Sequence, residues 1–507
     1  MSSFSWCWGS PMLSVIIFLP LLAAVVLAAV PRLGNAAARW VWVGVAALDL
    51  VLVGVVWAGY ETPPPGQLAF AERAAWIPGV GSSYHLGVDG LSLPLMAMTT
   101  VVFLACALYA LRERHRPRVQ ASLFLFLQCV SLGLFAAADL ILFFVFFDLS
   151  IVGMYVVIAG WGHGDRGRSA LKFFLYTFLG SLALLTGFIG LFAAADPHTF
   201  DMPTLTADNP LAGRPLAGGL VLAAILLGLA VKTPTVPFHT WLPPAHTDAP
   251  AVGSAVLAAV LLKMGTYGFV RIAAPMLPQA WRGWAWVIIA VGVVSVLYGA
   301  LVALAQTNLK RMIAYTSINH MGYVVLAVGV AGLVSVDTAG PRAVAVTGAV
   351  TQMVSHGLIT AALFLLAGVV YERAGSYDLH AYGGLAAPAP VFAGFFAVGA
   401  FASLGLPAFS GFIAEFQIFA GSIATAPVTA VALLGILVTA ALFLRAGQAL
   451  LTGPTAGHST GFGDLRASEV WSIGPLLALS LFIGVLPRPL LDLVEPAART
   501  FVDLLGR

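Results

Sequence analysis

Long runs of apolar residues follow one another along almost the whole chain and are separated by short polar segments. A helix of about 20 apolar residues crosses the ~30 Å hydrocarbon core of a membrane. The runs lie approximately at 11–30, 40–59, 88–110, 119–137, 140–160, 170–195, 218–240, 250–272, 284–305, 311–333, 343–371, 390–425 (broken), 426–450 and 470–487. This pattern predicts an all-α polytopic membrane protein with about 14 transmembrane helices.

Composition and charge agree with that fold class. Hydrophobic residues make up 60% of the 507 residues, which excludes a soluble globular domain. No lysine or arginine precedes Arg32, so the first run is expected to be a retained span rather than a signal peptide. Loops after odd-numbered spans carry 14 lysines and arginines, and the other loops carry eight. The positive-inside rule then places both termini outside, and the net charge of +3 implies no nucleic-acid partner.

Two parts of the chain share an uncommon layout. Asp148 lies on the fifth run, and Lys232 ends the apolar part of the seventh, before the sequence TPTVP. His320 lies on the tenth run, and Glu415 lies on the twelfth, after the sequence GLP. Five spans separate corresponding helices, which would invert the second unit, and inverted repeats with broken helices are typical of secondary transporters. The expected division is 1–115 (spans 1–3), 116–275 (first inverted repeat, spans 4–8), 276–452 (second inverted repeat, spans 9–13) and 453–507 (span 14 and a tail).

Charged residues inside apolar runs are the first candidate functional residues. Four of them are Asp148, Lys232, Lys263 and Glu415. A charge at the bilayer centre costs at least ~2.5–3.5 kcal/mol, so such residues usually mark an ion or proton path. The alternatives are that Lys232 extends its ammonium to the membrane interface, and that the two carboxylates only form ion pairs that hold helices together.

Histidines on two neighbouring runs extend this set. His320 and His356 have side chains that titrate near neutral pH when unperturbed. The alternative is that each is a hydrogen-bonded core histidine. Cys7, Cys106 and Cys129 show no metal-ligand spacing, and no Gly-rich phosphate loop follows a strand. We therefore expect no cofactor and no metal in this chain.

Four segments resemble the antiporter-like subunits of respiratory complex I, and most of all the chain M (mitochondrial subunit 4) type. They are KTPTVPFHTWLPPAHTDAPAVGSAVLAAVLLKMGTYGFVRI (232–272), NLKRMIAYTSINHMGYV (308–324), QMVSHGLITAALFLLAGVVYER (352–373) and GLPAFSGFIAEF (405–416). The resemblance implies the antiporter-like subunit fold and a proton channel built from two half-channels. It also implies that Lys232 is the lysine of broken helix seven and that Asp148 is its carboxylate partner. Lys263, His320 and His356 would form the central polar axis, and Glu415 would be the terminal proton carrier.

Two residues depart from the family pattern. In the loop after Lys232 the family usually has an acidic residue where this chain has Pro244. The family usually has glutamate where this chain has Asp148. Because aspartate is one methylene shorter, a direct pair with Lys232 is expected to lengthen or to need a bridging water.

The expected function is that of a proton-translocating membrane subunit of NADH:quinone oxidoreductase, a translocase without a redox site of its own. Its expected partners are other membrane subunits of complex I, especially the sister antiporter-like chains, with the lipid bilayer, protons and internal water. Its expected location is the bacterial inner (plasma) membrane, as a multi-pass protein. The alternatives are a subunit of a multisubunit Na⁺/H⁺ antiporter or membrane-bound hydrogenase, and a structural subunit whose charges only join helices.

Overall fold

Helices account for most of the structure, which is a computed structural model that describes residues 11–30 and 32–506. Cys7 and both chain ends, for which the sequence predicts an outer location, lie outside the described residues. In chain order the helices are α1 (Met12–Ala29), α2 (Asn35–Ala58), α3 (Leu93–Arg112), α4 (Pro117–Ala136), α5 (Leu140–Trp161), α6 (Arg166–Ala194), α7 (Met202–Asp208), α8 (Pro215–Lys232), α9 (Leu242–Asp248), α10 (Ala251–Met276), α11 (Pro278–Leu304), α12 (Leu309–Val330), α13 (Val336–Ala374), α14 (Pro390–Ser403), α15 (Ser410–Thr425), α16 (Pro427–Leu451), α17 (Ala467–Val485) and α18 (Arg488–Gly506).

Thirteen helices in the described part of the chain are long and apolar enough to cross a membrane. The predicted run 390–425 supplies the fourteenth crossing as two halves, α14 and α15. Neither half reaches the ~20 residues that a crossing needs, since they contain 14 and 16 residues. The prediction of an all-α membrane protein with about 14 spans, one of them broken, is therefore confirmed.

The break between α14 and α15 depends on a glycine. Gly405 has φ +77°, a left-handed conformation that favours glycine. A side chain at this position would also collide with the carboxylate of Glu415 on α15. The break thus brings backbone into direct contact with the carboxylate, which a continuous helix would prevent.

A second break follows Lys232, where the predicted run 218–240 stops short. Residues 233–241 are not helical, because Pro234 and Pro237 cannot donate the backbone hydrogen bonds that a helix requires. The indole Nε1 of Trp241 donates to the carbonyl of Val231 at 2.9 Å. It thereby satisfies one of the carbonyls that the end of α8 leaves without a helical partner.

The central helix α10 is not regular. Two π-helical stretches, Leu257–Leu261 and Phe269–Ala273, lie on either side of Lys263. A π-helical turn widens the helix and leaves some of its carbonyls free for other partners, and such turns often occur at functional sites. The helix is almost completely enclosed, as is α12, so that both lie in the interior of the bundle.

A β-hairpin lies outside the spans on one face of the bundle. Strands β1 (Ala69–Ile77) and β2 (Ser82–Val88) form an antiparallel hairpin there. The Asp139 carboxylate accepts hydrogen bonds from the backbone of Ile141 and Leu142, which caps α5, and from Ser82 and Ser83 of β2. We call this the hairpin face. Two short strands, β3 (Tyr382–Gly383) and β4 (Ala456–Gly457), pair elsewhere.

The segment after the last span is a helix rather than an irregular tail. In α18 the apolar residues Leu490, Leu493 and Val494 are buried. Arg488 pairs with Asp492 at 3.9 Å on its exposed side. Apolar and charged residues thus alternate with helical spacing, and α18 lies across the hairpin face against α13 and α11.

Candidate functional site: a row of buried polar side chains

Lys232 occupies the last turn of α8 and is 1% exposed. Its Nζ donates a hydrogen bond to Ser150 Oγ on α5 at 2.9 Å. It also lies 4.7 Å from the centre of the Phe147 ring, within the range of a cation–π contact. The amine is therefore held inside the bundle and does not extend to the interface, which was the structural alternative for this residue.

Asp148 does not form a direct ion pair with Lys232. Among the described residues, no carboxylate oxygen lies within 4.0 Å of the Lys232 nitrogen. Asp148 Oδ1 is buried and has no hydrogen-bond partner. Asp148 and Ser150 are two positions apart on α5, so they point to different sides of the helix, and Lys232 reaches the Ser150 side.

Lys263 lies at the centre of the bundle and is fully buried. Its Nζ donates to the carbonyl of Ala258 at 2.7 Å and lies 2.5 Å from Nδ1 of His356 on α13. Thr360 Oγ1 lies 3.0 Å from the same histidine nitrogen. The lysine and the histidine thus share one hydrogen between two basic nitrogens.

His320 and Glu415 extend the line of polar side chains from His356 toward the break between α14 and α15. The rings of His320 and His356 lie 5.3 Å apart and nearly perpendicular. His320 Nε2 lies 3.9 Å from Glu415 Oε1. Helices α10, α13, α12 and α15 therefore bring their polar side chains together in the order Lys263, His356, His320, Glu415, which we call the polar row.

A cavity of about 10 Å³ opens among the last three side chains of the polar row. His320, His356, Glu415, Gln352 and Ser403 are among its lining residues. Four of these contribute a buried nitrogen or oxygen without a protein partner, and the cavity is close to the size of one water molecule. One water could therefore bond to His320 and Glu415 across their 3.9 Å separation.

Lys232 is connected to the polar row only through a helix contact. The end of α8 packs against α10, and Thr233, the residue after Lys232, lies against Gly265 of α10. The buried hydroxyl oxygen of Thr233 has no partner. The first break therefore adjoins the helix that carries Lys263, although no hydrogen bond joins the two described lysines.

Lys310 is one of the 14 lysines and arginines predicted to lie in the loops after odd-numbered spans, and for this residue the prediction is wrong. It is fully buried in the first turn of α12, where Nζ donates to the carbonyl of Ala249. The Tyr377 ring lies 5.3 Å from the Lys310 nitrogen. The position of Lys310 just after Asn308, which caps α12, was a signal for a helix start rather than a loop.

His163, in the loop after α5, stacks on Tyr371 with 4.5 Å between the ring centres. Burial and then the charge of Lys310 lower the pKa of His163 from 6.5 to about 4.

Comparison with known proteins agrees with this architecture. A family described as NADH:quinone oxidoreductase/Mrp antiporter, TM, matches residues 137–444. NADH-quinone oxidoreductase subunit M of Rickettsia prowazekii is 36% identical over 492 residues, which cover 95% of this chain and 96% of the relative. A chain of respiratory complex I from Thermus thermophilus with bound NADH matches with a TM-score of 0.86 and 31% identity, over 98% of this chain and 100% of that chain. A chain of the Mrp complex from Dietzia sp. DQ12-45-1b shares the fold, with a TM-score of 0.83 and 21% identity over 98% of this chain and 100% of that chain.

Buried charges lie beside two helix breaks, and the described residues make fourteen crossings. Together with the family and structure matches, this fold is that of an antiporter-like membrane subunit. The family match covers more than half of the chain, and the match to subunit M covers nearly all of it. The chain belongs to the NADH:quinone oxidoreductase/Mrp antiporter family of membrane subunits.

Proposed function

We propose that this chain is the M-type, proton-translocating membrane subunit of an NADH:quinone oxidoreductase. The observation that carries the proposal is the polar row, in which Lys263, His356, His320 and Glu415 follow one another in the enclosed centre of the bundle. Each of these groups can bind and release a proton. Burial of a titratable group is costly, so a row of four favours a path over a set of structural contacts.

Protons move along the polar row in one direction, toward Glu415. Lys232 takes up a proton from the cytoplasmic side while Asp148 stabilises its charge. A signal from the quinone-reducing end of the complex weakens this interaction, and the proton moves to Lys263. It passes through His356 and His320 to Glu415, which releases it on the outer side. Each step transfers one proton and returns the donor to its starting form. The step from Lys232 to Lys263 crosses the contact between α8 and α10, and the later steps join neighbouring groups of the polar row.

The same proposal includes an orientation and a division of the chain. Residues 116–275 and 276–452 are the two inverted repeats, and each contributes one of the two broken helices. Both termini face the outer side of a bacterial inner membrane. Electron transfer belongs to other subunits, and the sister antiporter-like chains are the neighbours of this subunit in the membrane.

An antiporter subunit is the second candidate, because the Mrp complex chain shares the fold. At 21% identity this likeness concerns the fold alone, whereas the complex I chain is 31% identical. The two candidates differ in what drives proton movement. Oxidation of NADH drives it in the first, and a sodium gradient drives it in the second.

Lys232→Met in the assembled complex tests the proposal, with Lys172→Met as the matched control. Lys172 is the exposed member of the four lysines, and it lies near the start of α6. NADH-driven proton uptake and NADH:quinone turnover are measured together in membrane vesicles. We expect Lys232→Met to abolish or strongly reduce uptake and to slow turnover, and Lys172→Met to change neither.

Unchanged uptake and turnover in Lys232→Met would contradict the proposal and favour a structural role for the charge. If deletion of the chain left NADH oxidation intact but abolished sodium-driven proton exchange, the antiporter function would replace the proposed one.

A further inference from the structure

Ser150 is the only side chain of α5 that the amine of Lys232 contacts by a hydrogen bond among the described residues. Its hydroxyl is fully buried and donates to the carbonyl of Phe147 at 2.6 Å. Because the hydroxyl hydrogen is used in that bond, the oxygen is left to accept from Lys232. The bond at 2.9 Å therefore has a fixed direction, from the lysine to the serine.

This bond does not depend on the charge of the lysine. A protonated amine has three N–H groups and a neutral one has two, so both forms can donate to Ser150. An ion pair with a carboxylate behaves differently, because its attraction disappears when the amine loses its proton. Asp148 points to a different side of α5, and neither of its carboxylate oxygens lies within 4.0 Å of the Lys232 nitrogen.

We propose that Ser150 is a positioning residue for Lys232: its hydroxyl holds the amine in the same place before and after the proton leaves. Asp148 then acts on the lysine only through its charge at longer range. The division of roles lets a proton move away from Lys232 without a swing of the lysine side chain. This inference rests on the proposed function, since it concerns how Lys232 carries its proton.

A buried serine often only satisfies a carbonyl of its own helix, and the chain offers such a residue for comparison. Ser131 on α4 is fully buried and donates to the carbonyl of Leu127 at 2.7 Å. It makes no hydrogen bond to another helix among the described contacts. Ser131→Ala is therefore a matched control, because it removes a similar hydroxyl from a similar environment without touching a lysine.

The test compares Ser150→Ala, Ser150→Thr and Ser131→Ala in the assembled complex, with proton uptake and NADH:quinone turnover measured in vesicles. Loss of one buried hydrogen bond should slow coupled uptake in Ser150→Ala by about three- to tenfold. Ser150→Thr keeps the hydroxyl and should restore at least half of the uptake. Ser131→Ala should match the unmodified complex.

Two results would overturn the inference. In the first, Ser150→Ala retains as much proton uptake as Ser131→Ala. In the second, Ser150→Thr loses as much proton uptake as Ser150→Ala. Either result, combined with lost uptake in Lys232→Met, would leave the proposed function intact and remove only the role of Ser150. If Ser150→Ala does not assemble, Ser150→Cys decides. Its thiol is similar in size and a weaker acceptor, so intermediate uptake supports the inference and unmodified uptake overturns it.

Discussion

Nζ of Lys263 and Nδ1 of His356 lie 2.5 Å apart in the enclosed centre of the bundle. Two basic nitrogens at this distance cannot both carry a hydrogen toward the other, so one donates and the other accepts. A proton can therefore move from the lysine on α10 to the histidine on α13 without any movement of the helices. The contact makes these two residues the centre of the polar row.

His356→Gln tests whether this histidine carries a proton or only completes a hydrogen bond. The amide oxygen of glutamine can still accept from Lys263, but it cannot bind a proton at neutral pH. We expect NADH-driven uptake to fall by at least about tenfold, as for loss of a positioned acid–base group, with the amount of assembled complex unchanged. His198→Gln is the control, because His198 lies in a loop and bonds to backbone carbonyls. Equal uptake in both variants would assign His356 to a structural role.

The crossing of α13 and α15 fixes the distance between His356 and Glu415. At Gly348 a side chain would lie 2.6 Å from the backbone nitrogen of Ile418 and 2.9 Å from the carbonyl oxygen of Ala414. Backbone atoms cannot move aside as a flexible side chain does. Gly348→Ala should therefore cost about 1–3 kcal/mol of stability, typical of an overpacked contact.

Gly340→Ala on the same helix is the control for this contact, since a side chain at Gly340 meets nothing within 4 Å. The measurements are the thermal midpoint of the complex and its uptake. We expect a lower midpoint and reduced uptake for Gly348→Ala alone. Equal midpoints for the two variants would show that the crossing tolerates a wider separation.

His163 gives the stability of the protein a dependence on pH. Its pKa is lowered from 6.5 to about 4, first by burial and then by the charge of Lys310. Between these two pH values the unfolded chain binds a proton at this site and the folded chain does not. Stability therefore falls as the pH falls from 6.5 toward 4.

His163→Phe should remove this contribution and keep the ring stack on Tyr371. We expect the thermal midpoint of the variant complex to fall less between pH 7 and pH 5 than that of the unmodified complex, since the histidine titrates below about pH 6.5. At pH 7 the midpoints should be nearly equal. An identical pH dependence in the two complexes would contradict the effect of burial on this histidine.

The spans and the breaks were predictable because each depends on local sequence. Apolar length alone predicts the crossings, and Pro234, Pro237 and Gly405 interrupt two of them for reasons of backbone geometry. A charge inside an apolar run was also a sufficient signal for Lys263 and Glu415, because such a run has few other reasons to contain a lysine or a glutamate. His320 and His356 were predicted from the neutral titration range of histidine.

Contacts that depend on the rotation of one helix against another were not predictable. Ser150 is one of many serines, and only the packing of α8 beside α5 gives it a lysine as partner. The helix start at Lys310 was predictable from Asn308, but its burial was not, because only the packing of the surrounding helices encloses it. Asp49 on α2 was also passed over, although it is fully buried and accepts a hydrogen bond from Gln128 at 2.7 Å.

In the proposed mechanism protons leave the bundle through Glu415, and Glu415→Gln removes the group that releases them. Glutamine keeps the size of the side chain and its hydrogen-bonding atoms but cannot release a proton. Glu372→Gln is the control, because Glu372 lies at the end of α13 and accepts a hydrogen bond from Tyr109 outside the polar row. Proton uptake per NADH oxidised is measured in vesicles with equal amounts of assembled complex. We expect Glu415→Gln to lose most of its uptake and to turn over more slowly, and Glu372→Gln to retain both. Full uptake at full turnover in Glu415→Gln would contradict proton release through Glu415.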